Sequence, residues 1–445
     1  MTEIATQTLA DIYLQQGDVQ KAFEIYQTLA RQNPSDPKIL NRLKELQEAL
    51  NLPSHPDQLT PRTREEKIRF LQRWLTNIHE RKKKIMEHSF FEKRRQSLHQ
   101  IIETHPLDGI LLTQLENIRY LCGFTGSDGA LVLTRREVFF LTDSRYWTQA
   151  DEEVKGCRII HYKKKLDGIA ALLSDLKLTR VGIEGLSLPV SSFQFLLKKM
   201  GNAMEFIALE EEMKNIRAVK DAQELSLIRS AIALSTKSFS HLMEFLREGS
   251  IEKEMALEME FFVKRNGAES IGFDIIIASG PRSALPHGRA SHKKIEKGDF
   301  ILLDFGLRLQ GYHSDQTRTL VCGQPTSEQQ KVYRIVKEAH DQAIEAIRPG
   351  LPFCDIDKVA RDHIEKQGYG EYFGHGLGHG IGLAVHEDPV VNGDNRGLLQ
   401  EGMVFTVEPG IYIPNWGGVR IEDMVLVTPQ GAEVLTSLPR DLTII

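Results

Sequence analysis

The sequence predicts an α+β protein in which an α/β domain and a second α+β domain follow a short, all-helical N-terminal segment. Residues 4–50 keep a helical apolar period, short β-branched runs alternate with a helical pattern from residue 106, and long amphipathic helices followed by strands fill the C-terminal half. These patterns divide the chain into a helical segment at 1–50, a linker and connecting helix at 51–87, an α/β domain at 88–212 and an α+β domain at 213–445.

Composition excludes several classes of protein. The 445 residues are 41% hydrophobic and 26% charged, with a net charge of −5, so no global attraction to nucleic acid or to anionic membranes follows. No apolar run approaches the roughly 20 residues of a membrane span, and the N-terminus lacks the pattern of a signal peptide. The four cysteines lack CxxC spacing, which indicates a reduced, cytoplasmic protein without a thiolate zinc site.

The N-terminal helical segment has the residue spacing of one tetratricopeptide repeat and resembles that family. The matching residues are Leu9, Ala10, Tyr13, Gly17, Ala22, Tyr26 and Pro34. Small Ala10 and Ala22 allow two antiparallel helices to approach closely, Gly17 makes the turn, and Pro34 ends the second helix. Leu29 replaces the repeat's usual late alanine. Since one and a half repeats bury too little core, we expect this segment to dock on the rest of the chain or on a protein partner; a helical hairpin without a partner is the alternative.

The linker and the two domains follow from local patterns. Residues 51–65 are rich in proline and polar residues, and residues 66–100 are helical with basic runs that suit a solvated face. In the C-terminal half, helices are predicted over 221–249 and 252–267, and a further helix starts at Thr326 or Ser327.

Carboxylates inside apolar strands are the most informative positions. Asp304 interrupts the run "FILLDFGLRL", and a lone buried carboxylate is costly. If this strand and the next form a hairpin that turns at Gln310–Gly311, Asp304 lies opposite Thr317, and Asp315 is its diagonal neighbour on the same face. The first hairpin is therefore predicted to present two acids to one face.

A second hairpin repeats this arrangement near the C-terminus. A loop at 414–418 would place Ile413 opposite Val419, so that Glu408 faces Met424 and Glu422 is its diagonal neighbour. Four clustered acids require a cation, and two metal ions about 3.5–4 Å apart are the natural filling. The alternative is a set of separate ion pairs, with Arg318 and Arg420 as partners.

The stretch "FGHGLGHGIGLAVHEDP" adds three histidines to these acids. Its glycines argue against a helix, so His375 and His379 are not an HExxH-type pair. Glycine instead lets the backbone pass close to a ligand or another strand. Three histidines in twelve residues, beside an acidic cluster, indicate a metal site rather than core packing.

Together the segments "LLDFG", "SDQTRTL", "FGHGLGHGIGLAVHEDP", "TVEPGIYI" and "GVRIEDMVLV" resemble the metallopeptidases with the pita-bread fold, in the Xaa-Pro aminopeptidase and prolidase branch. The segments "NIRYLCGFTGSDGALVLT" and "FFLTDSRYWTQA" resemble a creatinase/prolidase-type N-terminal domain. The resemblance covers about 88–445 and leaves out residues 1–87; Arg119 stands where some relatives carry an aromatic residue that reaches a neighbouring subunit.

The resemblance implies a residue set for the site. The metal ligands would be Asp304, Asp315, His379, Glu408 and Glu422. Asp315 and Glu422 would bridge two divalent ions, manganese first, with cobalt, zinc or iron as alternatives. Glu408 would also be the base that takes a proton from the bridging water. His287 and His386 would stabilise the tetrahedral intermediate, Arg420 would support a bridging carboxylate, and His375 would lie near the substrate entrance.

The activity implied is hydrolysis of the N-terminal Xaa-Pro bond, with attack on its carbonyl by a hydroxide that bridges the metals. Small peptides with proline in second position would be the substrates, and a homodimer is expected. One alternative is a partner-binding scaffold with weak or no peptidase activity. A methionine aminopeptidase is another alternative, which the large N-terminal domain disfavours.

Overall fold

The computed structural model describes residues 10–11, 13–14, 19–34, 36–50 and 90–445. The chain divides into two compact units between Glu87 and His88. The first unit contains helices α1 (Val19–Gln32) and α2 (Pro37–Ala49). Its buried side chains form one small cluster, made of Ala10, Ala22, Phe23, Tyr26, Leu29, Ile39 and Leu46.

The sequence predictions for this segment are tested only in part. Ala10 and Ala22 are fully buried in the same cluster, as close helix packing requires. Leu9 and Gly17, the linker at 51–65 and the stretch 66–89 lie outside the described residues, so the tetratricopeptide likeness stays a prediction.

The second unit begins with helix α3 (90–104) and a six-stranded mixed sheet. Its elements are β1 (Gly109–Leu112), α4 (Leu115–Cys122), β2 (Ala130–Thr134), β3 (Val138–Thr142), α5 (Trp147–Glu153), β4 (Arg158–His161), α6 (Lys165–Asp175), β5 (Arg180–Glu184), α7 (Val190–Met200) and β6 (Glu205–Leu209). The strand order is β4-β3-β2-β1-β5-β6, with β2 antiparallel to both neighbours and the other pairs parallel. The α/β pattern read from residue 106 onward is confirmed.

The remaining chain forms the α+β part of this unit. Its elements are α8 (Glu211–Lys214), α9 (Ala222–Leu242), α10 (Glu252–Arg265), β7 (Ser270–Ile271), β8 (Ile276–Ser279), β9 (Phe300–Phe305), β10 (Leu307–Leu309), β11 (Tyr312–His313), β12 (Gln316–Val321), α11 (Ser327–Ala346), α12 (Phe353–Lys366), β13 (Gly378–Gly380), β14 (Glu387–Val391), β15 (Val404–Val407), β16 (Gly410–Ile413), β17 (Gly417–Arg420), β18 (Asp423–Thr428), β19 (Gly431–Val434) and β20 (Thr443–Ile444). Thr326 caps α11 in a capping box with Gln329. No helix in the described ranges combines the length and apolar character needed to cross a bilayer.

The first hairpin has the predicted register. Gln310 and Gly311 both have positive φ, at 48° and 86°, as a tight hairpin turn of this kind requires. Asp304 pairs with Thr317 across β9 and β12, and the same register continues through β10 and β11. Asp315 therefore lies two residues from Thr317, on the side-chain face of Asp304.

The predicted register of the second hairpin is wrong by two residues. Ile413 pairs with Gly417 rather than Val419, because the loop is tighter than the predicted loop at 414–418. The same register continues into β15 and β18, where Val407 pairs with Asp423. An error of two keeps the side-chain parity, so Glu408 and Glu422 still point to one face.

A buried carboxyl group marks the start of α9. Glu224 accepts the backbone N–H of Asp221 at 3.0 Å and lies 3.2 Å from the hydroxyl of Tyr312. Burial, the largest cause, raises the pKa of Glu224 to about 7, although Arg94 and Lys220 lower it. The carboxyl group of Glu224 therefore binds a proton more tightly in the folded protein than in the unfolded chain.

This raised pKa predicts a specific pH dependence. The contribution of Glu224 to stability is fully present below the ordinary carboxyl pKa and is lost as pH rises through about 7. We expect Glu224→Gln to be more stable than wild type by about 1–3 kcal/mol near pH 8, with a flatter stability curve over the acidic range. Urea unfolding across pH measures this. Exposed Glu433→Gln is the control, and an unchanged slope in Glu224→Gln would contradict the assignment.

Candidate metal centre

One cavity of about 460 Å³ in the C-terminal part of the second unit collects the candidate site residues. All nine that the sequence singled out line it: Asp304, Asp315, His379, Glu408 and Glu422, together with His287, His375, His386 and Arg420. Asp304, His379 and Arg420 lie within strands, and Glu408 and Glu422 directly follow and precede strands. Sheet backbone therefore fixes these side chains.

Two of the carboxylates and one imidazole form a close group. Asp315, His379 and Glu422 each offer one ligand atom, and these atoms all lie within 4.8 Å of one another. His379 Nε2 is 3.7 Å from Asp315 Oδ2 and 3.4 Å from Glu408 Oε1. The Nδ1 atom of His379 donates to the carbonyl of Gly380 at 3.1 Å, which leaves the Nε2 lone pair directed at the carboxylates.

The electrostatics of this group favour a bound cation. Burial, followed by the charge of Glu422, raises the pKa of Asp315 well above its usual range. Burial, followed by the charge of Glu408, does the same to the pKa of Glu422. Within the described residues, Oδ1 of Asp315 and Oδ1 of Asp304 are buried without a hydrogen-bond partner. Buried, mutually repelling oxygen ligands beside a neutral imidazole fit divalent ions of the Mn, Co, Fe or Zn type.

Among the described residues, Asp304 has an arginine as ion-pair partner, as the alternative of separate ion pairs expects. Arg420 Nη2 donates to Asp304 Oδ2, and both side chains are nearly buried. Arg318 instead pairs with Asp423 at 2.6 Å, and both side chains are almost fully buried. In the described part of the chain, neither Asp315 nor Glu422 has an arginine or lysine as ion-pair partner.

The glycines of the histidine stretch have the predicted function of close approach. Strand β13 packs against β15, and a Cβ on Gly378 would collide with the backbone carbonyl of Thr406. The hydroxyl of Thr406 accepts the backbone N–H of His379 at 3.1 Å, so this contact also positions the imidazole. Gly374, four residues earlier, has no atom within 4 Å of the equivalent position.

This contrast gives a matched pair of variants. We expect Gly378→Ala to destabilise the protein by about 1–3 kcal/mol and to lower peptidase activity, because strand β13 has to move away from β15. Gly374→Ala is expected to leave stability unchanged or raise it by about 0.4–1 kcal/mol. Thermal unfolding and peptide turnover measure both. Equal effects of the two variants would show that close strand approach does not position His379.

A hydrogen-bonded chain extends from the carboxylates to His375. Arg420 Nη1 donates to Tyr412 Oη at 2.8 Å, and Tyr412 Oη lies 3.0 Å from Nε2 of His375. Burial lowers the pKa of His375 to about 4, so the ring is neutral and accepts from the tyrosine. Nδ1 of His375 donates to the carbonyl of Gly376 at 2.8 Å.

His386 is held beside His379 by its neighbour in sequence. The two imidazole rings meet edge to face, with centroids 4.2 Å apart. The adjacent carboxylate of Glu387 is buried between Arg217 at 3.0 Å and Lys220 at 2.8 Å. This buried ion pair anchors the turn that presents His386.

Two hydroxyl groups of the site, those of Thr317 and Thr406, were not predicted as site groups from the sequence. Thr317 donates to Glu422 Oε2 at 2.7 Å and accepts from Arg420 Nε at 3.1 Å. Thr406 donates to Glu408 Oε1 at 3.2 Å. Thr317 was identified only as the partner of Asp304, and its period-two position between two acids was the available signal.

Arg119 contacts the same chain. Its guanidinium lies 3.6 Å from the carboxylate of Glu269.

Comparison with known proteins gives consistent results. The model of the Creatinase/Prolidase N-terminal domain matches residues 94–219, and that of Metallopeptidase family M24 matches residues 226–429. An Xaa-Pro dipeptidase of Pyrococcus horikoshii is 39% identical over 349 residues, which cover 77% of this chain and 96% of that protein.

Solved structures agree in fold. An Xaa-Pro dipeptidase from Bacillus anthracis superposes with a TM-score of 0.77 at 40% identity and covers 80% of this chain and 100% of that one. An X-Pro aminopeptidase from Thermotoga maritima gives 0.71 at 39% identity, over 76% of this chain and 98% of that one. With the α+β pita-bread architecture behind a creatinase-type domain, and with relatives covered almost end to end, the chain belongs to metallopeptidase family M24.

Proposed function

We propose that this protein is a metal-dependent peptidase that hydrolyses the bond between an N-terminal residue and a following proline. The observation that carries the proposal is the buried group of Asp315, His379 and Glu422, whose ligand atoms converge in a cavity large enough for a small peptide. Relatives named Xaa-Pro dipeptidase and X-Pro aminopeptidase support the substrate class.

The proposed metal ligands are the five residues read from the sequence. Asp304, Asp315, His379, Glu408 and Glu422 would hold two divalent ions. When bound, such ions polarise a carbonyl and lower the pKa of water toward neutrality. We propose manganese as the physiological metal, because oxygen ligands with one imidazole suit it.

The protein's own groups would divide the remaining work. Glu408 would take a proton and return it to the leaving nitrogen, and Thr406 orients its carboxylate. His287 and His386, on the wall of the same cavity, would donate hydrogen bonds to the oxygen that gains charge. Arg420, through Asp304 and Thr317, would keep the carboxylates in place.

The cavity lining suits proline. Apolar surface comes from Phe273, Ile276, Pro286 and Val390, beside the polar groups. An Xaa-Pro bond has no amide N–H and a fixed φ, so proteases that bind substrate as an added strand handle it poorly. A pocket that contacts the ring instead avoids this requirement.

The test is turnover of Xaa-Pro dipeptides and Xaa-Pro-Xaa tripeptides by the full chain, with Mn²⁺, Co²⁺, Zn²⁺ and Mg²⁺ in turn. We expect hydrolysis of the Xaa-Pro bond, dependent on added metal, and little cleavage of Ala-Ala or Met-Ala. The dipeptide-to-tripeptide ratio separates dipeptidase from aminopeptidase. Absence of turnover with every metal, or preference for Met-Ala, would overturn the proposal.

The localisation, oligomeric state, domain division and protein partner expected from the sequence are also proposals. We propose a cytoplasmic homodimer, the domain division at 51–87, 88–212 and 213–445, and a protein partner for the helical segment 1–50. Size-exclusion chromatography with light scattering tests the dimer.

A further inference from the structure

Two cysteine side chains meet in the α/β part of the second unit. Cys122 ends helix α4, and Cys157 directly precedes strand β4. The two side chains interact closely enough for each thiol to shift the pKa of the other, and both pack in the same apolar cluster. The backbone N–H of Lys155 donates to the carbonyl of Cys122 at 2.9 Å, so the two segments are also tied together through the main chain.

A buried arginine lies against one of the two thiols. Arg95 Nη1 is 3.5 Å from the Cys157 sulfur and donates to the carbonyls of Lys155 and Gly156, both at 3.1 Å. This guanidinium is therefore fixed by the turn that carries Cys157. A positive charge at such a distance favours a thiolate over a thiol.

The two thiols differ in exposure and reactivity. Cys122 is fully buried, and burial raises its pKa well above the usual range. Cys157 is partly exposed, and its interaction with Cys122, with Arg95 nearby, lowers its pKa. A surface cavity of about 480 Å³ is lined by Gly156 and Arg158, the sequence neighbours of Cys157, together with Arg95. A small oxidant can thus reach the more reactive thiol first.

We propose that Cys122 and Cys157 form an oxidant-sensitive modification site that closes to a reversible intramolecular disulfide when the protein meets a peroxide. The Cys157 thiolate attacks the peroxide O–O bond, which gives a sulfenic acid and releases hydroxide. The Cys122 sulfur then attacks the sulfenic sulfur, forms the S–S bond and releases water. In sum, two thiols and one hydrogen peroxide give one disulfide and two waters, and a thiol reductant reverses the change.

The disulfide would act on the helix that contacts the catalytic domain. Asn117, on α4, hydrogen-bonds to Arg217, which pairs with Glu387 next to His386. A disulfide at the end of α4 would restrict the motion of this helix and therefore of Asn117, which contacts Arg217. We expect oxidation to raise the melting temperature of the full chain, because the cross-link restricts the unfolded state.

Peptide mass mapping of the full chain tests the proposal. Protein treated with a small excess of hydrogen peroxide, in the presence of a chelator, is alkylated and digested without reductant. We expect a linked peptide pair containing Cys122 and Cys157, two hydrogens lighter than the free peptides, that disappears after dithiothreitol. Cys157→Ser, at a partly exposed position, should leave Cys122 fully alkylatable once unfolded and should abolish the rise in melting temperature.

Cys354 provides the matched control. Its buried sulfur also lies beside a guanidinium, with Arg396 Nη1 at 3.2 Å, while its other polar neighbour is the carboxylate of Asp355. Cys354→Ser should form the linked pair as wild type does. The proposal is overturned if folded wild-type protein yields no linked pair, if Cys157 accumulates as sulfinic acid instead, or if the link persists in Cys157→Ser.

Discussion

Asp315→Asn is expected to lower kcat/KM for an Xaa-Pro dipeptide by at least about 100-fold, more than the 10- to 100-fold that outer-shell partners of a metal typically contribute. A carboxylate oxygen of Asp315 lies within 4.8 Å of ligand atoms of both His379 and Glu422. The amide keeps the shape of the carboxylate but removes its charge, so the cage attracts a divalent ion less strongly. Turnover with Mn²⁺ or Co²⁺ measures the loss.

The same variant should be more stable than wild type when no metal is present. The carboxylates of Asp315, Glu408 and Glu422 repel one another in a buried site, and removal of one charge relieves this cost. We therefore expect metal-free Asp315→Asn to melt at a higher temperature than metal-free wild type. Addition of metal should raise the melting temperature of the variant less than that of wild type. Asp362→Asn, on the surface of α12, should behave as wild type. Full activity in Asp315→Asn, or a normal metal-induced increase, would contradict the proposed role.

Arg318→Met is expected to give the largest loss of folding stability, about 3–5 kcal/mol, because it removes the 2.6 Å arginine partner of the buried Asp423 carboxylate and leaves it with His340 at 3.3 Å and Arg440 at 3.9 Å. Arg318 is 2% exposed and donates to Asp423 Oδ1 at 2.6 Å. It also donates to the backbone carbonyls of Glu422 at 2.6 Å, Pro439 at 2.9 Å and Leu438 at 2.8 Å. The Arg318 side chain thus connects the backbone at Glu422, a proposed metal ligand, to the C-terminal segment at Leu438 and Pro439.

Two further variants separate the ion pair from the loss of packing. Arg334→Met changes an exposed arginine on α11, whose partner Glu338 is 4.0 Å away, and should cost under about 1 kcal/mol. The double variant with Asp423→Asn should recover part of the loss, since no charge is then left unpaired. Urea unfolding of the four proteins measures these differences. A cost of Arg318→Met no larger than that of Arg334→Met would contradict the assignment.

The register of the strands could be predicted where turn-forming residues mark the hairpin in the sequence. Gln310–Gly311 defines a two-residue turn, so the pairing of Asp304 with Thr317 followed directly. The loop before Gly417 has no comparable signal, and its length was misjudged by two residues. The acids nevertheless fell on one face, because side chains alternate with period two.

The supporting groups could not be predicted in the same way. Tyr412 joins Arg420 to His375, and Asp357 accepts the backbone N–H of Leu377 at 3.1 Å. Both contacts join segments far apart in sequence or depend on a side-chain direction that periodicity does not give. The pairing of Arg318 with Asp423 likewise depends on tertiary packing.

The most direct test of the account is an anomalous-difference map from crystals of the full chain grown with Mn²⁺. The account predicts two peaks per chain, in contact with the carboxylates of Asp304, Asp315, Glu408 and Glu422, with His379 Nε2 as a further ligand of one peak. Absence of a peak among these five side chains, while manganese binds elsewhere on the protein, would contradict the claim that they form one metal cage.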